Sequence, residues 1–509
     1  MKDSVLHKLK RAVALILCFI LAAGITGCKK DDDVTPGVVS DREMPGGSIA
    51  VPYSTEDSMN PFFMTSVVNS TLISLVYQSL YYLDAGYDTV RELAAAETVS
   101  AGSVKVELSH EFSFSDGTAV TEDDVIYSFE LAKASRLYST QLEGVESCTA
   151  AEEGALMFRL AYPDVNVLNA LTFPVVKRGT ATTETSAPVG SGLFRFNQDG
   201  IRTTLVCNLL YAGELPPIGT VRLTAVQPDT TLETLVDTGE LDFCYSDLAS
   251  GNAKRTYSPV SYVYLNNLVF LGMNRESVNL QVAEIRKGIS CAIDRQEIVK
   301  SAFQGFARAA TVPFNTSWTK ITDSAAASSV SFYADEVKAA AYFNPLYVGT
   351  EKNIVYLTML CPENNSFMRN AANLIAKELS AYYIEVEVRF LDEAKYMDAL
   401  KRGDFDLYMG EIKVPKTMDL SAFFGYDGAA SYGINTTGGA AASAYFRYRE
   451  GEAEIEEFLE AFLNEMPFVP LCFRNGRMCY TPDITYTAGA ADGRIFSDIS
   501  QWKIDKPSS

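Results

Sequence analysis

At 509 residues, 47% apolar and 21% charged, the chain is too long for one simple core and has the make-up of a globular protein of two or three domains. Its formal net charge of −21 speaks against nucleic acid or an anionic lipid surface as a partner and fits a well-solvated body. Two histidines, His7 and His110, leave almost no material for a His-based triad or a His-rich metal site.

Lys2, Lys8, Lys10 and Arg11 open the chain, Ala12 to Ile25 is almost wholly apolar, and Ile25-Thr26-Gly27-Cys28 follows. Basic, apolar and small residues in that order predict a secretory signal over residues 1–27. The apolar run is short of the roughly 20 residues a membrane span needs. The stretch ending at Cys28 resembles the bacterial lipobox, which implies that Cys28 is lipidated and starts the mature chain; an ordinary cleaved signal is the alternative. Residues 28–46 carry charge, Pro36, Pro45 and glycines with no apolar period, as a flexible tether would. Two or more acyl chains hold a protein where one is marginal. The expected place is therefore the outer face of the cytoplasmic membrane, with the working part beginning near Gly47.

Gly47 to Tyr53 reads as a strand. Thr71 to Tyr82 places Leu72, Leu75, Val76, Ser79 and Leu80 at helical spacing. Val104 to Leu108 alternates as a strand. Thr121 is a predicted helix N-cap, with Glu122, Asp123 and Asp124 where the helix dipole favours acids and Val125, Phe129 and Ala132 on one face. Thr220 to Val226 is a strand, Thr230 to Val236 a helix, and Gly239-Glu240-Leu241-Asp242-Phe243 turns into another strand.

The second half repeats the alternation. Helices are predicted over Val282–Ala292, Glu297–Phe303, Tyr333–Phe343, Phe367–Ser380, Glu393–Lys401 and Glu452–Asn464. Strands are predicted over Ile354–Leu360, Ile384–Phe390 and Phe405–Met409. Interleaved helices and strands in both halves predict an α/β protein. Beyond Cys28, the cysteines Cys148, Cys207, Cys244, Cys291, Cys361, Cys472 and Cys479 form no C-x-x-C and are odd in number. Apolar settings such as Phe243-Cys244-Tyr245 predict buried small hydrophobes.

Several segments together resemble the peptide-type extracellular solute-binding proteins, family 5, the receptors of ABC importers for oligopeptides, dipeptides and nickel. The most specific is Phe114-Ser115-Asp116-Gly117-Thr118-Ala119-Val120-Thr121-Glu122-Asp123-Asp124-Val125-Ile126-Tyr127-Ser128, against F-x-D-G-x-x-x-T-x-x-D-V-x-x-S. Glu284-Ile285-Arg286 to Ala292-Ile293-Asp294-Arg295 resembles V-R-x-A-x-x-x-A-I-D-R. Weaker likenesses follow in family order: Met59-Asn60-Pro61, Val189-Gly190-Ser191-Gly192-Leu193-Phe194, Gly239-Glu240-Leu241-Asp242, Gly403-Asp404-Phe405-Asp406 and Met466-Pro467-Phe468-Val469-Pro470-Leu471. Asp116-Gly117 and Arg295 are expected to hold the fold, as a turn and as a surface or inter-element ion pair.

The resemblance implies a two-lobed, periplasmic-binding-protein-like α/β fold with an extra inserted domain. Lobe I would comprise residues 47–66, 187–262 and 480–509, the inserted domain II 67–186, and lobe III 263–479. It implies that the lobes close on an extended ligand, with Thr65, Ser66 and Val67 on one side and the strand end at Met409, Gly410 and Glu411 on the other. Peptide-binding relatives carry G-W-x-x-D at that strand end, and the aspartate takes the ligand's α-amino group. Here the sequence is Gly410-Glu411-Ile412-Lys413-Val414, without the tryptophan and with valine near the expected aspartate. Glu411 would supply the negative charge, or Lys413 or Lys416 would face a ligand carboxylate.

The expected function is a lipid-anchored ABC-importer receptor for an extended solute, an oligopeptide by default, delivered to a membrane permease. No catalytic residue, metal or cofactor is expected, and no P-loop sequence occurs. A non-transport sensor or scaffold on the same fold and a carboxylate-based hydrolase are the alternatives.

Overall fold

The computed structural model describes residues 42–197, 204–228, 230–346, 351–434, 438–486 and 489–505. The expected signal segment, Cys28 and the tether as far as residue 41 lie outside the described residues. Within the stretch expected to be a flexible tether, Arg42 donates to the carbonyls of Tyr211 (2.7 Å) and Gly213 (2.8 Å).

Strand β1 (Gly47–Ser54) is followed by two short helices, Val67–Ser70 and Ile73–Val76, where the spacing predicts one helix over 71–82. The break is tertiary. Tyr81–Leu83 pairs with Thr89–Arg91, and Ser79 bridges Pro174, so the apolar residues of this stretch are claimed by sheet partners. Strands β2 (Ala94–Ser100), β3 (Ser103–Leu108), β4 (Val145–Ala150) and β5 (Ala155–Leu160) then form an antiparallel sheet in the order β2-β3-β5-β4. Val104, Val106 and Leu108 alternate onto its buried face.

Helix α1 (Glu122–Ala134) covers that sheet. The Asp124 carboxylate turns back to accept from the Thr121 N–H (2.9 Å) and hydroxyl (2.6 Å), fixing the start of the helix. Phe129 meets Phe158 edge-on at 5.9 Å; burying such a ring stabilises by about 1.5–3 kcal/mol. Just upstream, Gly117 adopts φ +87°, and Asp116 accepts from Thr118 and pairs with Lys177 at 2.6 Å. The Asp-Gly pair therefore holds a turn.

Strands β6 (Phe194–Phe196), β7 (Thr204–Cys207) and β8 (Ile218–Val226) join β1 in the order β1-β8-β7-β6, with β1 and β8 parallel. After the turn at Gly239, Asp242 accepts from the Ala50 N–H (2.8 Å) and ties the following strand to β1.

The large sheet has the order β9-β14-β10-β13-β11-β12, with Ala307–Ala309 added along β14. In chain order its strands are β9 (Phe243–Ser246), β10 (Val260–Met273), β11 (Val355–Pro362), β12 (Ile384–Leu391), β13 (Leu407–Lys413) and β14 (Phe468–Tyr480). β10 and β14 are long antiparallel partners, and their register shifts between Tyr264 and Leu268. On one side of that shift, Val263, Leu265 and Met478 pack into the core built on β1 and the 94–160 sheet. On the other, Leu268–Met273 and Phe468–Phe473 pack into a second core. Two continuous strands thus carry the chain between the lobes. The last described segment returns to the first core: Trp502 packs on Phe243 at 5.2 Å and on Phe496 at 5.7 Å.

Helix α2 (Ala283–Ala292) and the motif arginines near it are structural. Arg286 and Arg295 are each 1% exposed. Arg286 donates to the carbonyls of Leu280, Gln281, Glu465 and Met466, and Arg295 to those of Ser290 and Pro470. The expected surface or inter-element ion pair at Arg295 is replaced by carbonyl bonds in the interior, because its guanidinium fork matches the free carbonyls of adjoining segments. Burial lowers both guanidiniums to about 10. The expected helix over 297–303 is a turn at Arg295–Glu297 followed by a π-turn at Ile298–Ala302. Six of the seven described cysteines are buried and all seven are free.

Candidate functional site

β11 and β13 run parallel, and their pairing ends at Leu360 with Tyr408. Beyond it β13 stays bonded to β10 as far as Lys413, while its other edge has no ladder partner among the described strands. The Tyr396 hydroxyl, from helix α3 (Glu393–Arg402), donates to the Met409 carbonyl on that edge at 2.7 Å. The carboxyl ends of parallel strands are where open α/β sheets take ligands.

A cavity of about 550 Å³ opens there, within the range of ligand sites. Phe270, Met368, Tyr396 and Tyr408 give it an apolar wall, and Met409, Gly410 and Glu411 bring the free edge to it. Gly410 is needed for close packing, since a Cβ there would lie 2.4 Å from the Phe270 ring. Ala249 and Ser250, from the loop between β9 and β10, close one side.

Glu411 is already engaged. Its Oε1 accepts from Arg474 Nε and Nη2, both at 2.8 Å, and from Asn267 Nδ2 at 3.0 Å. Oε2 has no partner among the described residues. Arg474 is almost fully buried, so each charge compensates the other. Nothing in the sequence marks this pair, because Arg474 arrives from β14 through the β10 ladder.

A second cavity, of about 350 Å³, lies between the segment after β13 and the first core. Ser70, Ser74, Tyr77, Tyr138 and Thr172 line it together with Lys413, Lys416 and Arg494. Lys413 donates to Asp492 at 3.1 Å, and Arg494 pairs with Glu92 at 3.1 Å. Burial would raise the Asp492 carboxyl, but Lys413, the Asn266 N–H and Lys416 outweigh it and hold it below the usual carboxylate range.

The structure therefore separates the site residues expected from sequence. Met409, Gly410 and Glu411 line the larger cavity and Lys413 the smaller one. Thr65, Ser66 and Val67 line neither of these two. Asp57 gathers the N–H and hydroxyl of both Thr65 and Ser66, and Ser66 in turn caps the helix at Val67–Ser70. Val67 is exposed. The smaller cavity begins one turn later, at Ser70.

The family model of the bacterial extracellular solute-binding proteins, family 5, matches residues 88–431. An ABC transporter peptide-binding protein of Brucella ovis is 22% identical over 377 residues, 69% of this chain and 69% of the relative. The oligopeptide-binding protein AppA of Bacillus subtilis is 20% identical over 336 residues, 60% of this chain and 61% of its own. In three dimensions, the ABC transporter substrate-binding protein CtaP of Listeria monocytogenes superposes with a TM-score of 0.70 at 17% identity, covering 91% of this chain and 100% of that one. The fold is that of a two-lobed periplasmic binding protein. With most of its length under the family model, the chain belongs to the bacterial extracellular solute-binding proteins of family 5, which bind solutes and are not enzymes.

Proposed function

We propose that the protein is a lipid-anchored receptor of an ABC importer. It captures an extended solute, an oligopeptide, between its lobes and delivers it to a membrane permease. The observation that carries this is the unpaired edge of β13 beyond Tyr408, facing a cavity of about 550 Å³. An extended peptide added to such an edge is held by its main chain, so affinity does not demand one side-chain sequence. The names of the Brucella and Bacillus relatives point to the same solute class.

In this proposal Met409, Gly410 and Glu411 pair with the ligand main chain, and Glu411 Oε2 takes a ligand ammonium. Thr65, Ser66 and Val67, pre-shaped by Asp57, are brought to the ligand when the lobes close. The division into residues 47–66, 187–262 and 480–509, an insertion at 67–186, and 263–479 is part of the same proposal. Its support is the return of Trp502 to the Phe243 side of the molecule.

Solutes released from the purified protein, identified by mass spectrometry, test the reading. A family of peptides of varied sequence is expected; a single non-peptide solute would overturn it. For the anchor, Cys28→Ser should release the protein to the medium or leave an uncut precursor, and unchanged processing and retention would reject lipidation at Cys28.

A further inference from the structure

Cys244 on β9 and Cys479 on β14 stand directly opposite each other in an antiparallel ladder. Opposed residues of such a ladder have Cα atoms about 4.5–5.5 Å apart, and a disulfide spans about 4.4–6.8 Å. The other strand cysteines have different neighbours: Cys148 faces Phe158, Cys207 faces Phe194, Cys361 faces Phe390 and Cys472 faces Val269. One pair is thus set apart by register from the rest of the seven described free thiols.

The pair also has its own surroundings. Cys244 and Cys479 pack with Val236 and Leu241 in a small cluster, with Leu232 and Leu235 at its margin. β9 is an edge strand of the large sheet, so the cover over the thiols comes from the short helix Leu232–Asp237 and the turn after it. Arg477 lies two residues before Cys479 on the same strand, buried and paired with Glu233. The Cys244 thiol donates toward Cys479 and holds that thiol below its usual range; burial opposes this and Arg477 supports it. A thiol beside a cation is the more reactive of a pair.

We propose that Cys244 and Cys479 form a redox pair that closes to a cross-strand disulfide when the protein meets a low-molecular-weight disulfide. This goes beyond the reading of these thiols as small hydrophobes. The Cys479 thiolate attacks one sulfur of the oxidant, the oxidant's S–S bond breaks, and one thiolate leaves. The Cys244 thiolate then attacks the Cys479 sulfur of the mixed disulfide and expels the second thiolate. The protein loses two electrons and two protons, and the oxidant gains them as two thiols. Local opening of the edge strand admits the oxidant.

The bond would act as a staple at the root of the lobes. Phe243, Tyr245 and Met478, beside the two cysteines, belong to the first core. The loop closed from Cys244 to Cys479 contains nearly all of the second core. In the chain-entropy account a long closed loop stabilises most, because it restricts the unfolded chain most. An extracytoplasmic place, part of the proposed function, is one in which such a bond persists. The chemistry itself asks only for the folded chain, so it stands or falls apart from the identity of the solute.

The test treats the full chain, folded and in native buffer, with hydroxyethyl disulfide. Remaining thiols are alkylated after unfolding, and the peptides are mapped by mass spectrometry. In most chains the peptides holding Cys244 and Cys479 should be joined, with the other described cysteines alkylated. Alkylation of both Cys244 and Cys479, or a link between other cysteines, would overturn the pair; this holds whether or not any variant folds. Cys244→Ala, which lacks the resolving thiol, should keep the hydroxyethyl adduct on Cys479. In Cys479→Ala, Cys244 should react about tenfold more slowly. Equal rates would overturn the order of attack. The oxidised wild type should melt about 3 °C or more above the reduced one, and dithiothreitol should reverse the gain. Cys244→Ala should show no such gain. An oxidised wild type that melts no higher would overturn the staple.

Discussion

The two cavities flanking the end of β13 are built on opposite electrostatic terms. At the larger one, Glu411 and Arg474 neutralise each other, and the site presents an apolar wall and a bare strand edge. At the smaller one, Lys413 pairs with Asp492, Arg494 pairs with Glu92, and Lys416 donates to the Thr172 hydroxyl. The first arrangement suits a ligand held by its backbone, and the second is a set of cations that the protein itself partners. Because Arg474 and Asn267 engage only Oε1 of Glu411, its Oε2 is the acceptor left for a ligand.

The largest expected effect comes from breaking the compensated pair. Arg474→Met leaves the Glu411 carboxylate partly buried with only Asn267 as donor. Unfolding in denaturant should show a loss of about 3–5 kcal/mol. Adding Glu411→Gln should recover much of it, because the amide needs no counter-charge. A single Arg474→Met variant as stable as wild type would show that the pair is not compensating.

Glu411→Gln alone leaves the buried Arg474 guanidinium without a counter-charge, so its stability is measured beside its binding. The amide oxygen still accepts from Arg474 while the negative charge is gone. Peptides with a free amine should bind about thirtyfold more weakly, near the lower end for a buried charge pair, and N-acetylated peptides should be unaffected. Calorimetry with both peptide forms checks this, and equal affinities would remove Glu411 from the site.

These two residues mark how far the sequence alone could be followed. Local features were legible: the start of α1 is written in Thr121 and Asp124, three residues apart, and the turn in Asp116-Gly117. The end of β13 was legible through its likeness to family strands. Arg474 and Arg494 were not, because their partners Glu411 and Glu92 are distant in the chain and no local pattern joins them. The helix at Ala440–Arg449 escaped because its Ala-rich start shows no apolar stripe. β14 escaped for the opposite reason. It is buried on both faces from Phe468 to Cys479, so it lacks the alternation that identifies a half-buried strand. The run at 71–82 was misread because helical spacing there loses to pairing with Thr89–Arg91 and Pro174.

A smaller effect tests the bare edge itself. Gly410→Ala introduces a Cβ about where the Phe270 ring stands, at 2.4 Å. Phe270 is packed edge-on against Tyr408, Phe423 and Phe468, so it has little room to yield. Overpacking of this kind costs about 1–3 kcal/mol. If the edge pairs with the ligand main chain, affinity should fall for every peptide alike, free or capped. Lower stability with unchanged affinity would separate the packing role of Gly410 from any role in binding.

The smallest expected effect lies at the other cavity, where Lys413 is 60% exposed and its partner Asp492 is 11% exposed. Lys413→Ala should cost less than about 1 kcal/mol, as for other solvent-screened pairs. Its pH dependence has a definite sign. Asp492 is held below its ordinary value in the folded protein, so the folded state binds fewer protons than the unfolded one as pH falls. The stability that Lys413 contributes is present at neutral pH and is lost as pH falls through the folded pKa, below about 4. Denaturant midpoints of wild type and Lys413→Ala should differ slightly at neutral pH and converge in acid. A difference between the two proteins that persists unchanged in acid would show that the Asp492 charge does not carry it.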